Sequence, residues 1–359
     1  MNSAFIASML PSDWHHPRAD ARIDFHFDKS LPDEYSAIVK CVLAEVQSIL
    51  GGAFPCHVVA THTHRKPASP SAIAAVSEVS HLVGGKLLEC GDYCTTEAVS
   101  SGKPIILLLQ YDTICPAHRR SCIAHEYLHV HQMSLLREQA IGEAHEVLPM
   151  WLFEGSAALF EHMYIREYWP ALLRGRPFCG LVEAIRRTAE LGLGAGFDEA
   201  KETYASPSVN YYVESAAVLY LAHRCGMLHA ARGGEIRGCV GTRDGLHGLV
   251  TDLWQAIGVS GAENWRAVFK DVFGCQVGDF YAELRAFFIR PVDEQLLIVP
   301  SEPVLHSCTS EEARVARGVR VPRPGERYAP GDARRLQVIA NLGLRGSHVA
   351  VLLSTGGSG

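Results

Sequence analysis

Apolar positions recur with two different periods along the chain. Residues 23–27, 56–64 and 104–111 form short runs rich in β-branched and aromatic side chains, and each run predicts a strand. Between the first two, Tyr35, Ile38, Val39, Val42, Leu43, Val46 and Leu50 fall at helical spacing. Residues 32–50 therefore predict an amphipathic helix, with Gly51 and Gly52 as its stop. From residue 151 to 288 the period is mostly helical, broken by a glycine-rich stretch at 191–196 and a Gly/Arg-rich one at 232–244. Beyond Arg290, prolines at 291, 300, 303, 322, 324 and 330 punctuate a segment with only short apolar runs. The pattern predicts an α+β architecture of two lobes. An N-terminal α/β lobe with a mixed sheet spans residues 1–135, and a mostly helical lobe spans 136–290. A proline-rich arm, 291–359, either lies on these or extends from them.

Composition narrows the functional classes. Hydrophobic residues make up 48% and charged residues 20% of the 359, which excludes global disorder. A net charge of −6 with no dense basic run gives no electrostatic case for nucleic acid. No apolar stretch is long enough to span a membrane, and the apolar patch at residues 4–10 follows no basic residue, so a cytoplasmic chain is expected. The 11 cysteines are an odd number and scattered, which fits reduced thiols. Cys90, Cys94 and Cys115 are either free structural thiols or a small metal or redox site, and the missing C-x-x-C spacing favours the former. His62 and His64 alternate on a predicted strand, where exposed polar side chains are expected more often than metal ligands.

Chemistry concentrates in two segments. His125-Glu126-Tyr127-Leu128-His129 places two histidines four residues apart, on one face of a helix, with a glutamate beside them. This H-E-x-x-H arrangement is that of zinc hydrolases. Ile123, Ala124, Tyr127, Leu128 and Met133 supply an apolar stripe, so the histidines are expected near the edge of a buried face. A catalytic zinc usually takes three protein ligands, and Glu154 in a second predicted helix, Trp151-Leu152-Phe153-Glu154-Gly155-Ser156-Ala157, fits the third place. Glu143, His145, Glu146 and Glu161 compete for it. Gly155, Ser156 and Ala157 are small, and are expected to let this helix approach the metal helix closely.

H-E-Y-L-H followed by W-L-F-E-G-S-A-A-L-F-E resembles the gluzincin metallopeptidases, in particular the peptidase MA-like group that includes the aminopeptidase N relatives. The resemblance implies a zincin-like fold, one Zn²⁺ held by His125, His129 and Glu154, and Glu126 as the general base that activates water. Glu161 matches a second glutamate of the aminopeptidase motif. It reads either as a hydrogen-bond partner of a ligand histidine or as a solvated surface carboxylate. Residues 211–221 are similar to the tyrosine-bearing helix that follows the zinc motifs in these enzymes, where a phenol stabilises the oxyanion. Tyr212 is the first choice for that role and Tyr211, one residue away, the second; His223 is a weaker alternative donor. Residues 265–274 and 280–284 are similar to the helical close of the same domain. Two features depart from the pattern: the 24 residues between His129 and Glu154 make a longer connection than in the best known gluzincins, and no G-x-M-E-N segment is present. Aminopeptidase specificity is therefore not implied.

The expected activity is hydrolysis of peptide bonds in a peptide or protein substrate. Zinc would bring the pKa of water toward about 7, Glu126 would take its proton, and the metal and Tyr212 would share the oxyanion. An extended substrate would add to an edge strand of the α/β lobe. The alternatives are a catalytically inactive zincin-fold binding module and an unrelated helical protein carrying the motifs by chance.

Overall fold

A computed structural model describes residues 23–50, 54–61, 94–97, 104–108, 111, 114–136, 148–173, 180–192, 211–226, 246, 248–300 and 305. The architecture is α+β and mostly helical, with a small mixed sheet. Strand β1 (Ile23–Phe27), helix α1 (Asp33–Ile49) and strand β2 (Cys56–Ala60) form a β-α-β unit whose strands pair in parallel. Strand β4 (Ile105–Leu108) joins β2, again in parallel, and β3 (Cys94–Glu97) closes the order β1-β2-β4-β3 as an antiparallel edge. All four residues of β4 are buried, as expected of an inner strand covered on both faces.

Helix α1 follows from its sequence. Pro32 precedes it, Asp33 and Glu34 occupy its first turn, where negative charge complements the helix dipole, and Ile38, Val39, Val42, Leu43, Val46 and Ile49 are buried. Helix α2 (His118–Leu136) departs from the amphipathic expectation: every residue except His118 and Ser134 is buried. It is the central helix, packed against α1 and the sheet and against two later helices, α3 (Met150–Tyr168) and α6 (Leu253–Ser260). Its polar side chains therefore require partners inside the protein. Tyr127 shows this on the sheet side, where its hydroxyl accepts from the Phe54 N–H at 2.9 Å and from Gln47 Nε2 at 3.2 Å.

Helix α3 packs on α2 and, more extensively, on α5 (Tyr211–Arg224). A Cβ built on Gly155 would lie 2.6 Å from the Glu214 carbonyl oxygen and 2.7 Å from Val218 Cγ2. The close approach that Gly155 permits is thus to α5, not to α2 as its position beside Glu154 suggests. Trp151 anchors the far side of α3: it is fully buried, stacks on Phe280 at 5.2 Å, and donates its Nε1–H to the Tyr281 hydroxyl at 2.9 Å. Those two residues belong to α8 (Val277–Phe288), which follows α7 (Trp265–Phe273). Helix α4 (Leu181–Glu190) packs on α5 and on the short α9 (Val292–Leu296). One apolar core runs from Leu31 to Leu305 through these elements. The start of the predicted arm is part of that body, since Leu305 is buried and donates its N–H to Glu167 Oε2 at 2.8 Å.

Candidate metal centre

The i, i+4 spacing on α2 turns the rings of His125 and His129 toward one point. Their Nε2 atoms are 3.1 Å apart, and Glu154 Oε2, from α3, lies 3.2 Å from each. The three atoms form a nearly equilateral triangle of buried or half-buried groups. Four-coordinate zinc with bonds of about 2.0–2.1 Å has ligand-to-ligand edges of roughly 3.3 Å, so the observed edges fit such an ion. Among the described residues this is the one group of three side chains placed to hold a metal ion.

Hydrogen bonds on the outer edges of both rings fix what the inner edges can do. Gln132 Nε2 donates to the Phe153 carbonyl at 3.1 Å, which turns Gln132 Oε1 toward His129 Nδ1 at 2.7 Å. A carbonyl oxygen only accepts, so His129 Nδ1 carries the hydrogen. On the other ring, His125 Nδ1 faces the Glu161 carboxylate at 3.0 Å and donates to it. Both Nε2 atoms thus present lone pairs to each other and to a carboxylate oxygen. Such an arrangement is favourable only with a cation among the three, a proton or a metal ion.

The electrostatics agree. Burial disfavours charge on His125, but the Glu154 and Glu161 hydrogen bonds and the nearby Glu126 carboxylate outweigh it and hold the imidazole well above its ordinary pKa. For Glu154, burial pushes the carboxyl up, and the two histidines pull it further down, far below the usual carboxylate range. Glu161 is held low in the same way: burial opposes the charge, and His118 and His125 overcome it. Ser121 adds a short hydrogen bond, 2.5 Å, to Glu161 Oε1. Glu161 is therefore a buried partner of His125 and not a surface carboxylate.

The remaining sequence candidates separate by position. Glu126 is buried on α2 and close enough to His125 to raise its affinity for a proton. Tyr211, half exposed at the start of α5, sets its ring edge-on to His125 with centroids 6.1 Å apart. Tyr212, the next residue, is half-buried and lies near enough to Arg187 on α4 to favour the guanidinium's charge. One residue along a helix is a rotation of about 100°, which residue spacing alone does not resolve. His223, exposed in the last turn of α5, lies about 18 Å along the helix axis from Tyr211 and away from the centre. His131, on the same helix, bonds Thr251 Oγ1 at 3.1 Å and meets the Phe54 ring edge-on. Glu143, His145, Glu146, His62, His64 and Cys90 lie outside the described residues, as does the side chain of Cys94. Cys115 is an exposed free thiol.

Sequence reading passed over two contributors. Phe153 stacks face to face on His129 at 4.6 Å, with 16° between the planes, and shields the ring from water. Gln132 is the partner of His129; an acceptor-bearing side chain one turn beyond the second histidine was the available signal. Comparison with family models, with curated proteins and with solved structures finds no match for the chain.

Proposed function

We propose that the chain is a zinc-dependent peptide hydrolase of the gluzincin type, with a zincin-like division into an α/β lobe (1–135), a helical lobe (136–290) and a C-terminal arm (291–359). The observation that carries the reading is the triangle of His125 Nε2, His129 Nε2 and Glu154 Oε2, with edges of 3.1–3.2 Å, beside the buried Glu126. Two imidazoles and one carboxylate are a donor set suited to zinc.

His125, His129 and Glu154 would hold the ion. When bound, zinc supplies a Lewis acid and brings the pKa of water toward about 7. Glu126 takes a proton from the attacking water and returns it to the leaving amine, a contribution typically worth about 10² to 10⁴ in rate. Tyr211 is the donor for the carbonyl oxygen as that oxygen gains charge, an interaction worth about 3 kcal/mol where it is made only in the transition state. Glu161, steadied by Ser121, orients His125.

The test pairs metal content with turnover. Elemental mass spectrometry of the purified full chain should give about one zinc, lost or sharply reduced in Glu154→Ala. A peptide library should be cleaved in a chelator-sensitive manner by the wild type and left intact by Glu126→Gln, which keeps its zinc. Folded protein without metal, or cleavage retained in Glu126→Gln, would overturn the proposal. Zinc without cleavage would mark a binding module on the same scaffold.

A further inference from the structure

The two ligand histidines are held from behind in different ways. His125 is backed by a carboxylate, Glu161, whereas His129 is backed by the neutral amide of Gln132. Gln132 is fully buried on α2, one turn beyond His129, and uses both ends of its amide. Its Oε1 accepts from His129 Nδ1 at 2.7 Å, and its Nε2 donates to the Phe153 carbonyl at 3.1 Å. That carbonyl belongs to the peptide group joining Phe153 to Glu154. The same Phe153 places its ring on the face of His129. One side chain therefore spans from the second ligand on α2 to the backbone that carries the third ligand on α3.

We propose that Gln132 is a positioning residue for the metal centre, which fixes the tautomer of His129 and at the same time sets Glu154 relative to it by clamping the Phe153–Glu154 peptide. This inference rests on the metal reading of the site. Residue type is part of it. A carboxylate at this position would match His129 Nδ1–H equally well, but would turn a second acceptor toward the Phe153 carbonyl and break the clamp. It would also add a further negative charge to a pocket that already holds Glu126, Glu154 and Glu161. An apolar side chain of similar length would leave both the ring N–H and the carbonyl without this partner. The fit of an amide, which alone among these donates at one end and accepts at the other, is specific to a bridge between a ring N–H and a backbone carbonyl.

The experiment measures zinc affinity of the full chain by competition with a chromophoric chelator, for wild type, Gln132→Met and Gln132→Glu. Cobalt-substituted samples report ligand geometry through their visible absorption, and thermal melting of the metal-free proteins reports folding. Loss of a partner behind a ligand histidine commonly weakens metal affinity by about 10- to 100-fold, and Gln132→Met should show a loss in that range with an altered cobalt spectrum. Gln132→Glu, which keeps side-chain volume and so guards against a simple packing failure, should also bind at least about tenfold more weakly, because it retains only the His129 contact. Unchanged affinity and spectrum in Gln132→Met would overturn the inference, even with a lowered melting temperature, since that is the signature of packing alone. Affinity restored to wild type or better in Gln132→Glu would also overturn it, by showing that the Phe153 end contributes nothing. A wild-type protein that binds no zinc would sink the metal reading and this inference together, whereas zinc bound by the wild type and equally by both variants would sink only the inference.

Discussion

Replacing Gly155 with alanine should destabilise the protein although alanine is the better helix former. A Cβ at this position would stand 2.6 Å from the Glu214 carbonyl oxygen, roughly 0.8 Å inside the 3.4 Å at which ordinary contact begins, and 2.7 Å from Val218 Cγ2. Val218 can adjust its rotamer, but the Glu214 carbonyl is helix backbone and yields only if α5 moves as a body. Overpacking of this kind costs about 1–3 kcal/mol, and the rigid obstacle places it at the upper end, against a propensity gain of about 1 kcal/mol. The net expected cost is about 2 kcal/mol. The displaced helix begins with Tyr211, one turn from Glu214, so the shift also disturbs the phenol beside His125. Urea unfolding of the metal-free protein provides the assay, with the midpoint as readout and an unchanged slope as the sign that only stability has moved. Gly278→Ala is the internal contrast: it lies in the first turn of α8, a Cβ there meets nothing within 4 Å, and the same change should stabilise by up to about 1 kcal/mol. Gly155→Ala as stable as wild type, or stabilised in parallel with Gly278→Ala, would refute the claim that α3 and α5 are in backbone contact there.

Two further outcomes follow from the geometry. Tyr211→Phe should lower peptide hydrolysis by about 10²-fold with metal content unchanged, while Tyr212→Phe should have a much smaller effect; equal losses, or the reverse order, would place the phenol donor elsewhere. On the surface, Arg224 bonds the Glu283 carboxylate through Nε and Nη2, and this hydrogen bond, opposed by modest burial, holds the Glu283 pKa below its ordinary value. A carboxylate whose folded pKa is depressed contributes stability above its unfolded value, near 4.3, and loses that contribution as pH falls through the folded value. Solvent exposure of the pair limits its worth to about 0.5–1 kcal/mol. The urea midpoint of Glu283→Gln should therefore lie slightly below wild type at pH 7 and converge with it below about pH 4; a gap that widens on acidification would show the sign to be wrong.

What the sequence disclosed about the fold depended on whether the deciding contact is local. Helix α1 and strand β1 match their expected bounds to within a residue because a 3.6-residue stripe and a short β-branched and aromatic run carry their own evidence. Strand β3, Cys94-Thr95-Thr96-Glu97, offers no such run and owes its place to pairing with β4, which no pattern within four residues announces. Helix α2 misleads for the opposite reason. Its apolar positions read as a stripe, yet the sheet, α1, α3 and α6 enclose it on all sides, so that its charged residues are also interior.

The same division runs through the candidate metal centre. His125 and His129 meet because they are four apart on one helix, and any helical reading puts their rings together. Glu154 joins them from another helix, which a sequence can suggest by motif but not by period. What suits the triangle to a cation is a further set of contacts, each spanning elements: Glu161 of α3 behind His125, and Gln132 of α2 reaching the Phe153 carbonyl of α3. These fix the hydrogen on Nδ1 of both rings, and only then do the two Nε2 atoms become lone pairs facing a carboxylate. The candidate ligands that a sequence names are thus brought together, but their protonation is imposed by residues whose types, a glutamate and a glutamine on buried helix faces, look unremarkable until the helices are packed. A site copied onto another scaffold with His125, His129 and Glu154 alone would leave the tautomers free, and its three acceptors would turn away from one another.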